Sequence, residues 1–172
     1  AFDASYQGES GGEPRGLEDP AQRMEDIRCA LDYLTTLDYV APERIGALGI
    51  GAGGGYVACA AQTESRIRAV AGVSSIVIGA LFRNGLDGSQ TTGDWKNLLA
   101  EVDAQRTRET WGEPPRYIGF FPESEEALNE NTPTLFRESY DYYRTLRGQH
   151  PNATNRLLFT SIDRILIFFP FN

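Results

Sequence analysis

Residues 48–56 read Leu-Gly-Ile-Gly-Ala-Gly-Gly-Gly-Tyr, LGIGAGGGY, and the fold turns on how these glycines are understood. Just before them, residues 45–50 are apolar or glycine throughout, the pattern of a strand covered on both faces. Just after, residues 56–61 (Tyr-Val-Ala-Cys-Ala-Ala) read as a buried helix of small side chains. Residues 67–74 supply a second apolar run and a second buried strand. Strand, helix and strand within about thirty residues make a βαβ unit, and hence a parallel sheet. The glycines therefore fill a turn from strand into helix. The turn has a catalytic outline but no side chain able to attack a substrate.

Three chemical readings compete for it. Gly49-x-Gly51-x-x-Gly54 has the spacing and context of a dinucleotide fingerprint, in which the backbone approaches a pyrophosphate at a helix N-terminus. The companion acid is missing, because the next strand ends in Val73-Ser74-Ser75. A Walker-A loop fails for want of a closing Gly-Lys-Ser/Thr. In the third reading Gly49-Ile50-Gly51-Ala52-Gly53 fits a Gly-x-nucleophile-x-Gly elbow, with Gly51 at the nucleophile position on a strained turn. The flanking Gly49 and Gly53 are then expected where helix and strand approach too closely for a Cβ.

Outward from the elbow, residues 1–4 read as the end of a strand, and a turn-rich loop runs on to Gly16. Asp19-Pro20-Ala21-Gln22 announces a helix with an Asp cap, Pro at its first position and Gln at the capping-box position. Met24, Ile27, Leu31 and Leu34 form its apolar stripe, and it should end near Thr36 or Leu37. Further helices are expected over 94–110 and 134–147, the second stopping at Gly148. Residues 157–169 fit either a helical face or a strand, and a helix is preferred.

These blocks, in order, resemble one family. FDASYQGESGGEPR is similar to the loop after the fourth strand of α/β-hydrolases, Asp-x-x-x-x-Gly-x-Ser-Gly-Gly. EDPAQRMEDIRCALDYL, DYVAPERIGALGI, the glycine elbow and RIRAVAGVS then follow in register. The resemblance is to the dienelactone-hydrolase and X-Pro-peptidase-like branch, with its YcjY-type members, and it is specific over residues 2–83. It implies a partial α/β-hydrolase fold: sheet core with elbow over 1–78, a helical cap-like region over 79–150, and an apolar segment over 151–172, all one domain. The family's outer strands, its second oxyanion donor and its late acid and histidine find no counterpart here, so the chain reads as a middle segment whose sheet extends at both ends.

The resemblance also assigns roles. Relatives carry Cys or Ser where this chain has Gly51, which has no functional group. The Ala52 N–H stands at the oxyanion-donor position and needs no side chain. His150, the only histidine, follows Asp141 in the family's order of acid and base, although a solvated loop histidine is the plainer reading. Asp3, Gly8 and Ser10 match the loop beside the active site, where turn chemistry also explains them. Gly53, Tyr56 and Ser74 complete the expected substrate-binding set. Phe136, Tyr140, Tyr142 and Tyr143 either line a pocket or pack a cap helix, and Cys59 reads as an inert core thiol.

The function implied is hydrolysis of esters, lactones or peptides, weak or absent in this chain; the alternative is a non-catalytic binding or assembly module that keeps the scaffold. No cofactor or metal is implied, since no Asp/Glu/His grouping is spaced for one. The partner expected is a small acyl substrate or ligand. A formal charge of −8 argues against nucleic acid and anionic membranes, and no apolar run reaches the length of a span. Cys29 and Cys59, without metal spacing, suit a reducing, cytoplasmic setting, in which an incomplete sheet is expected to form homo-oligomers.

Overall fold

The computed structural model describes residues 1–170. Helix α1 (Pro20–Thr35) begins where Asp19 Oδ1 accepts the N–H groups of Ala21 and Gln22, at 3.0 and 3.4 Å. The expected capping box does not close. Gln22 reaches forward to Asp26, 3.0 Å away, rather than back to the cap. Strands β1 (Gly46–Ile50) and β2 (Ala69–Val73) pair in parallel from Gly46↔Ala69 to Ile50↔Val73, joined by α2 (Ala52–Ala60). The βαβ unit is as the sequence indicated.

The strands are not covered on both faces. Leu48, Ile50 and Val73 are 63%, 66% and 50% exposed, and among the described residues α2 is the main element packed on this two-stranded sheet. Residues 1–4 form no strand, since neither β1 nor β2 takes them as a neighbour.

Helices α3 (Ile78–Asn84), which the sequence did not suggest, and α4 (Thr92–Thr110) follow. A capping box between Thr91 and Asp94 starts α4 two residues before Asp94. Strand β3 (Tyr117–Ile118) pairs antiparallel with β4 (Leu157–Leu158). Between them α5 (Thr134–Tyr143) stops short of Gly148: Arg144 leaves helical geometry, and Leu146 stays 93% exposed with nothing to pack against. The apolar segment, expected as one helix over 157–169, divides into β4, a 3₁₀ turn (Phe159–Ser161) and α6 (Ile162–Leu166).

That segment anchors the core. Leu157, Ile165 and Phe168 pack with Tyr56 and Ile78, while Phe159, Ile162 and Leu166 pack with Val102. It holds α2, α3 and α4 together.

A buried polar network fixes the opening loop to this core. Glu18 accepts the Tyr56 hydroxyl at 2.6 Å and pairs with Arg23 at 3.0 Å. Arg23 also contacts Asp26 at 3.2 Å and donates to the carbonyls of Ser5 and Leu17, both at 2.8 Å. Burial together with the Glu18 charge pushes the Tyr56 hydroxyl pKa up. Burial alone would raise Asp26, but hydrogen bonds from Ser5 and Gln22, with the Arg23 charge, hold it below its ordinary range. Elsewhere, hydrogen bonds from Arg66 hold Glu64 down at about 2.

Both carboxyls are therefore depressed in the folded state. Their stabilisation is complete above the unfolded carboxylate pKa and is lost as pH falls through the folded values. The urea midpoint should be flat near neutrality and fall steadily from about pH 4.5 to about pH 2. A midpoint indifferent to acid would contradict these pairings.

Candidate active site

The end of β1 turns into α2 at Gly51, whose φ of 58° and ψ of −126° lie outside the regions L-residues favour. Backbone bonds pin it on three sides. Its N–H reaches Val73 O at 3.0 Å, and its own carbonyl accepts the N–H groups of Gly54 at 3.0 Å and Ile76 at 2.9 Å. A Cβ built on Gly51 would meet nothing within 4 Å. A sharp elbow thus presents a bare α-carbon to open space. The Ala52 N–H opens α2, and among the described residues no side chain caps that end.

The flanking glycines divide. A Cβ at Gly49 would lie 2.3 Å from Gly53 O, so strand and helix meet too closely for any side chain there. Gly53 itself has open space, which corrects the packing role expected of it. The close approach on the helix side is at Gly54, whose Cβ would lie 2.1 Å from Ser75 Oγ.

Ser74 follows β2 directly, exposed and in left-handed geometry (φ 48°), one residue past the carbonyl that holds Gly51. Gly53 and Tyr56 border a cleft of ≈ 240 Å³ with Phe2, Ile27, Leu48 and Ile50. The Tyr56 hydroxyl is committed to Glu18. Asp3 and Ser10 close the opening loop: Asp3 Oδ2 accepts the Glu9 N–H at 2.8 Å, and Ser10 Oγ donates to Asp3 O at 2.6 Å. Gly8, at φ 50°, sits against the Asp3 carboxylate where no Cβ fits.

His150 and Asp141 are not brought together. His150 is exposed, with Nδ1 accepting the Asn152 N–H at 3.1 Å, and the Asp141 carboxylate pairs with Arg147. Cys29 and Cys59 are free thiols, and burial pushes the Cys59 pKa up.

A second cleft, ≈ 350 Å³, is lined by Ile76, Leu81, Phe82, Leu86, Phe120 and Phe136, among others. One of its lining residues, Ile76, also donates its N–H to Gly51 O, whereas the cleft that residues 49, 50 and 53 themselves line is the smaller one beside Tyr56. Of the four aromatics singled out in the sequence, only Phe136 lines it; Tyr143 stacks on Phe121 at 5.3 Å, and Tyr142 packs edge-on against Tyr143. The apolar run 76–82 was the available signal for Leu81 and Phe82.

No protein-family model matches the chain. It is 42% identical over 178 residues to the uncharacterized protein YcjY of Escherichia coli K12, a match covering 98% of this chain and 54% of that protein. The crystal structure of the hypothetical protein PA2218 from Pseudomonas aeruginosa superposes with a TM-score of 0.88 at 30% identity, covering 97% of this chain and 52% of that one. The α/β hydrolase GrgF from Penicillium sp. sh18 superposes with a TM-score of 0.73 at 21% identity, over 98% of this chain and 53% of that one, a likeness of fold alone. The chain is related to YcjY and PA2218 and shares the fold of the α/β hydrolases. It spans about half the length of the relatives it matches.

The turn at Gly51 runs sharply from the end of β1 into α2, the strand-to-helix geometry that a nucleophile elbow requires. Ligands of open α/β sheets bind beyond the carboxyl ends of the strands, and here β1 ends at the elbow, with β2 ending beside it at Val73–Ser74. No helix among the described residues is long and apolar enough to cross a membrane. Among them, no group of three or more His, Cys, Asp or Glu side chains is placed to hold a metal ion.

Proposed function

We propose that this chain carries the elbow and the apolar substrate cleft of an acyl hydrolase of the dienelactone-hydrolase and X-Pro-peptidase-like branch. With Gly51 at the nucleophile position, it does not by itself turn over esters, lactones or peptides. The observation that carries this reading is the Gly51 backbone, at a φ of 58° that L-residues rarely adopt, open around its α-carbon and beside the uncapped Ala52 N–H. An acyl-enzyme needs an attacking atom, and Gly51 supplies none. Losing a triad that acts as a unit costs on the order of a millionfold in rate. The apolar cleft at Ile76 and Phe82 suits the hydrocarbon part of a small acyl substrate.

The test is hydrolysis of p-nitrophenyl acetate and butyrate. Wild type and His150→Ala should both run at the rate of buffer. Turnover by wild type that His150→Ala abolishes would overturn the inactive reading.

The open sheet favours a second role, assembly. Leu48, Ile50 and Val73 form an exposed apolar face, and each of β1 and β2 has one strand neighbour among the described residues. Such a face and its free edges invite a second copy of the chain. Light scattering is expected to give a dimer or larger species, which Leu48→Asp with Ile50→Asp converts to monomer. A wild-type monomer at micromolar concentration would remove this reading.

A further inference from the structure

We propose that a separate cleft, lined by Tyr6, Arg15, Tyr117, Asn152, Thr154 and Arg156 among others, binds a small oxyanion, a carboxylate or a phosphate group. Its volume is ≈ 260 Å³, and it lies between the opening loop, β3 and the segment leading into β4. The chain as a whole is strongly acidic, yet no Asp or Glu lines this cleft.

Its two guanidinium groups differ from most of the others in this chain. Ten arginines form salt bridges with carboxylates, whereas Arg15 and Arg156 form none among the described residues. Arg15 is held by neutral carbonyls, those of Gly8 at 2.7 Å, Ser10, and Gly12 at 3.4 Å. These fix its position without cancelling its charge. Arg156 lies over the Tyr117 ring, 4.1 Å from its centroid, which leaves the edge of its fork free to pair with an oxyanion.

Of the nearby acids only Glu18 is paired with a cation, and the others, held by neutral donors, keep their charge but do not line the cleft. Glu18 is shared by Arg23, Tyr56 and Gln7; Asp3 and Glu9 both accept from Asn152 Nδ2, at 3.3 and 3.4 Å; Glu13 accepts the Arg15 N–H at 3.1 Å.

The walls are built to close tolerance. Tyr6 is held at φ 71°, a strained setting for a tyrosine, of the kind that clusters at binding sites. Gly16, at φ 72°, lets the backbone at Arg156 approach: a Cβ there would lie 2.9 Å from Arg156 O and 3.3 Å from the Tyr117 ring. Its carbonyl accepts the Leu158 N–H at 2.9 Å, and its N–H donates to Tyr6 O at 2.8 Å. The two sides that carry Arg15 and Arg156 are thus tied together by main chain.

The site does not depend on the elbow, so it stands or falls separately from the ester assay. The experiment is titration of the whole chain with inorganic phosphate and, separately, with benzoate, at constant ionic strength maintained with sodium chloride. Tyr6 and Tyr117 fluorescence and calorimetry serve as readouts. Saturable binding of one of the two is expected; phosphate alone marks a phosphate-type ligand and benzoate alone a carboxylate. Arg156→Gln should weaken that binding about tenfold, the loss of one charge-assisted contact, while the anion-free melting temperature stays unchanged because Arg156 is exposed. Arg15→Lys, which keeps the charge but loses the fork, should weaken it as well. Absence of saturation with both anions, or equal binding by Arg156→Gln, overturns the proposal.

Discussion

Arg23→Ala is expected to destabilise the fold by about 3–5 kcal/mol, because it strands a buried carboxylate rather than merely removing a contact. Glu18 and Arg23 are 7% and 6% exposed, and the guanidinium links Glu18, Asp26 and two loop carbonyls at once. Removing it leaves Glu18 facing only neutral donors, Tyr56 and Gln7. The opening loop should loosen as well, since Ser5 O loses its donor, while the Ser5 N–H and hydroxyl still hold it to Asp26. Adding Glu18→Gln to Arg23→Ala should recover part of the loss, with a coupling of about 0.5–3 kcal/mol between residues that share one network. Urea denaturation of the three variants measures this directly. A loss below about 1 kcal/mol for Arg23→Ala would place the pair in the range of solvent-exposed ion pairs and contradict the burial described here.

This network was not legible in the sequence, although its members are close neighbours. Glu18, Arg23 and Asp26 look like an ordinary charged face at a helix start, and only the arrival of α2 with Tyr56 buries them. The βαβ unit was legible for the opposite reason. Its signals are local: an apolar run, a glycine turn and a small-residue helix, each set by near neighbours in the chain.

Strand burial misled because an apolar run records what a strand is suited to meet, and among the described residues one face of β1 and β2 stays largely exposed. The last apolar segment misled differently. Residues 157–169 consist of apolar runs at both ends around Thr160, Ser161, Asp163 and Arg164, a pattern that fits a helical face as a whole and strands in its parts, and the molecule uses both. Of the candidate site, the strand-to-helix turn at Gly51 was legible because such a turn is local. The apolar cleft could not, because it joins residues near 76–86, 118–121 and 135–139. The pairing of β3 with β4 likewise joins residues some forty positions apart, each strand only two residues long, too short to leave a pattern.

The central claim is that residues 49–53 form an elbow whose only missing part is a side chain. Gly51→Cys restores an attacking atom at the price of about 1–3 kcal/mol of backbone strain at φ 58°. Space is available, since a Cβ there touches nothing within 4 Å. On the proposed reading two features should activate the new thiol: the N-terminus of α2 lowers its pKa, and the Ala52 N–H serves as the oxyanion donor. With Asp141 paired to Arg147 and His150 on an exposed loop, the one histidine and that acid are not placed together to free the chain from its acyl adduct. Acylation without turnover is the consequence.

The variant is best made with Cys29→Ser and Cys59→Ala, because Cys29 is exposed and would react on its own. Gly53→Cys in the same background is the control: it has equal open space and the same helix end, but no elbow geometry. The decisive measurement is intact-protein and peptide mass spectrometry after mixing each variant with p-nitrophenyl acetate. The elbow predicts a single acetyl group on residue 51, formed on the order of tenfold or more faster than on residue 53, with one equivalent of p-nitrophenolate released and no more. No acetyl group on residue 51, or acetylation there no faster than on residue 53, would contradict it.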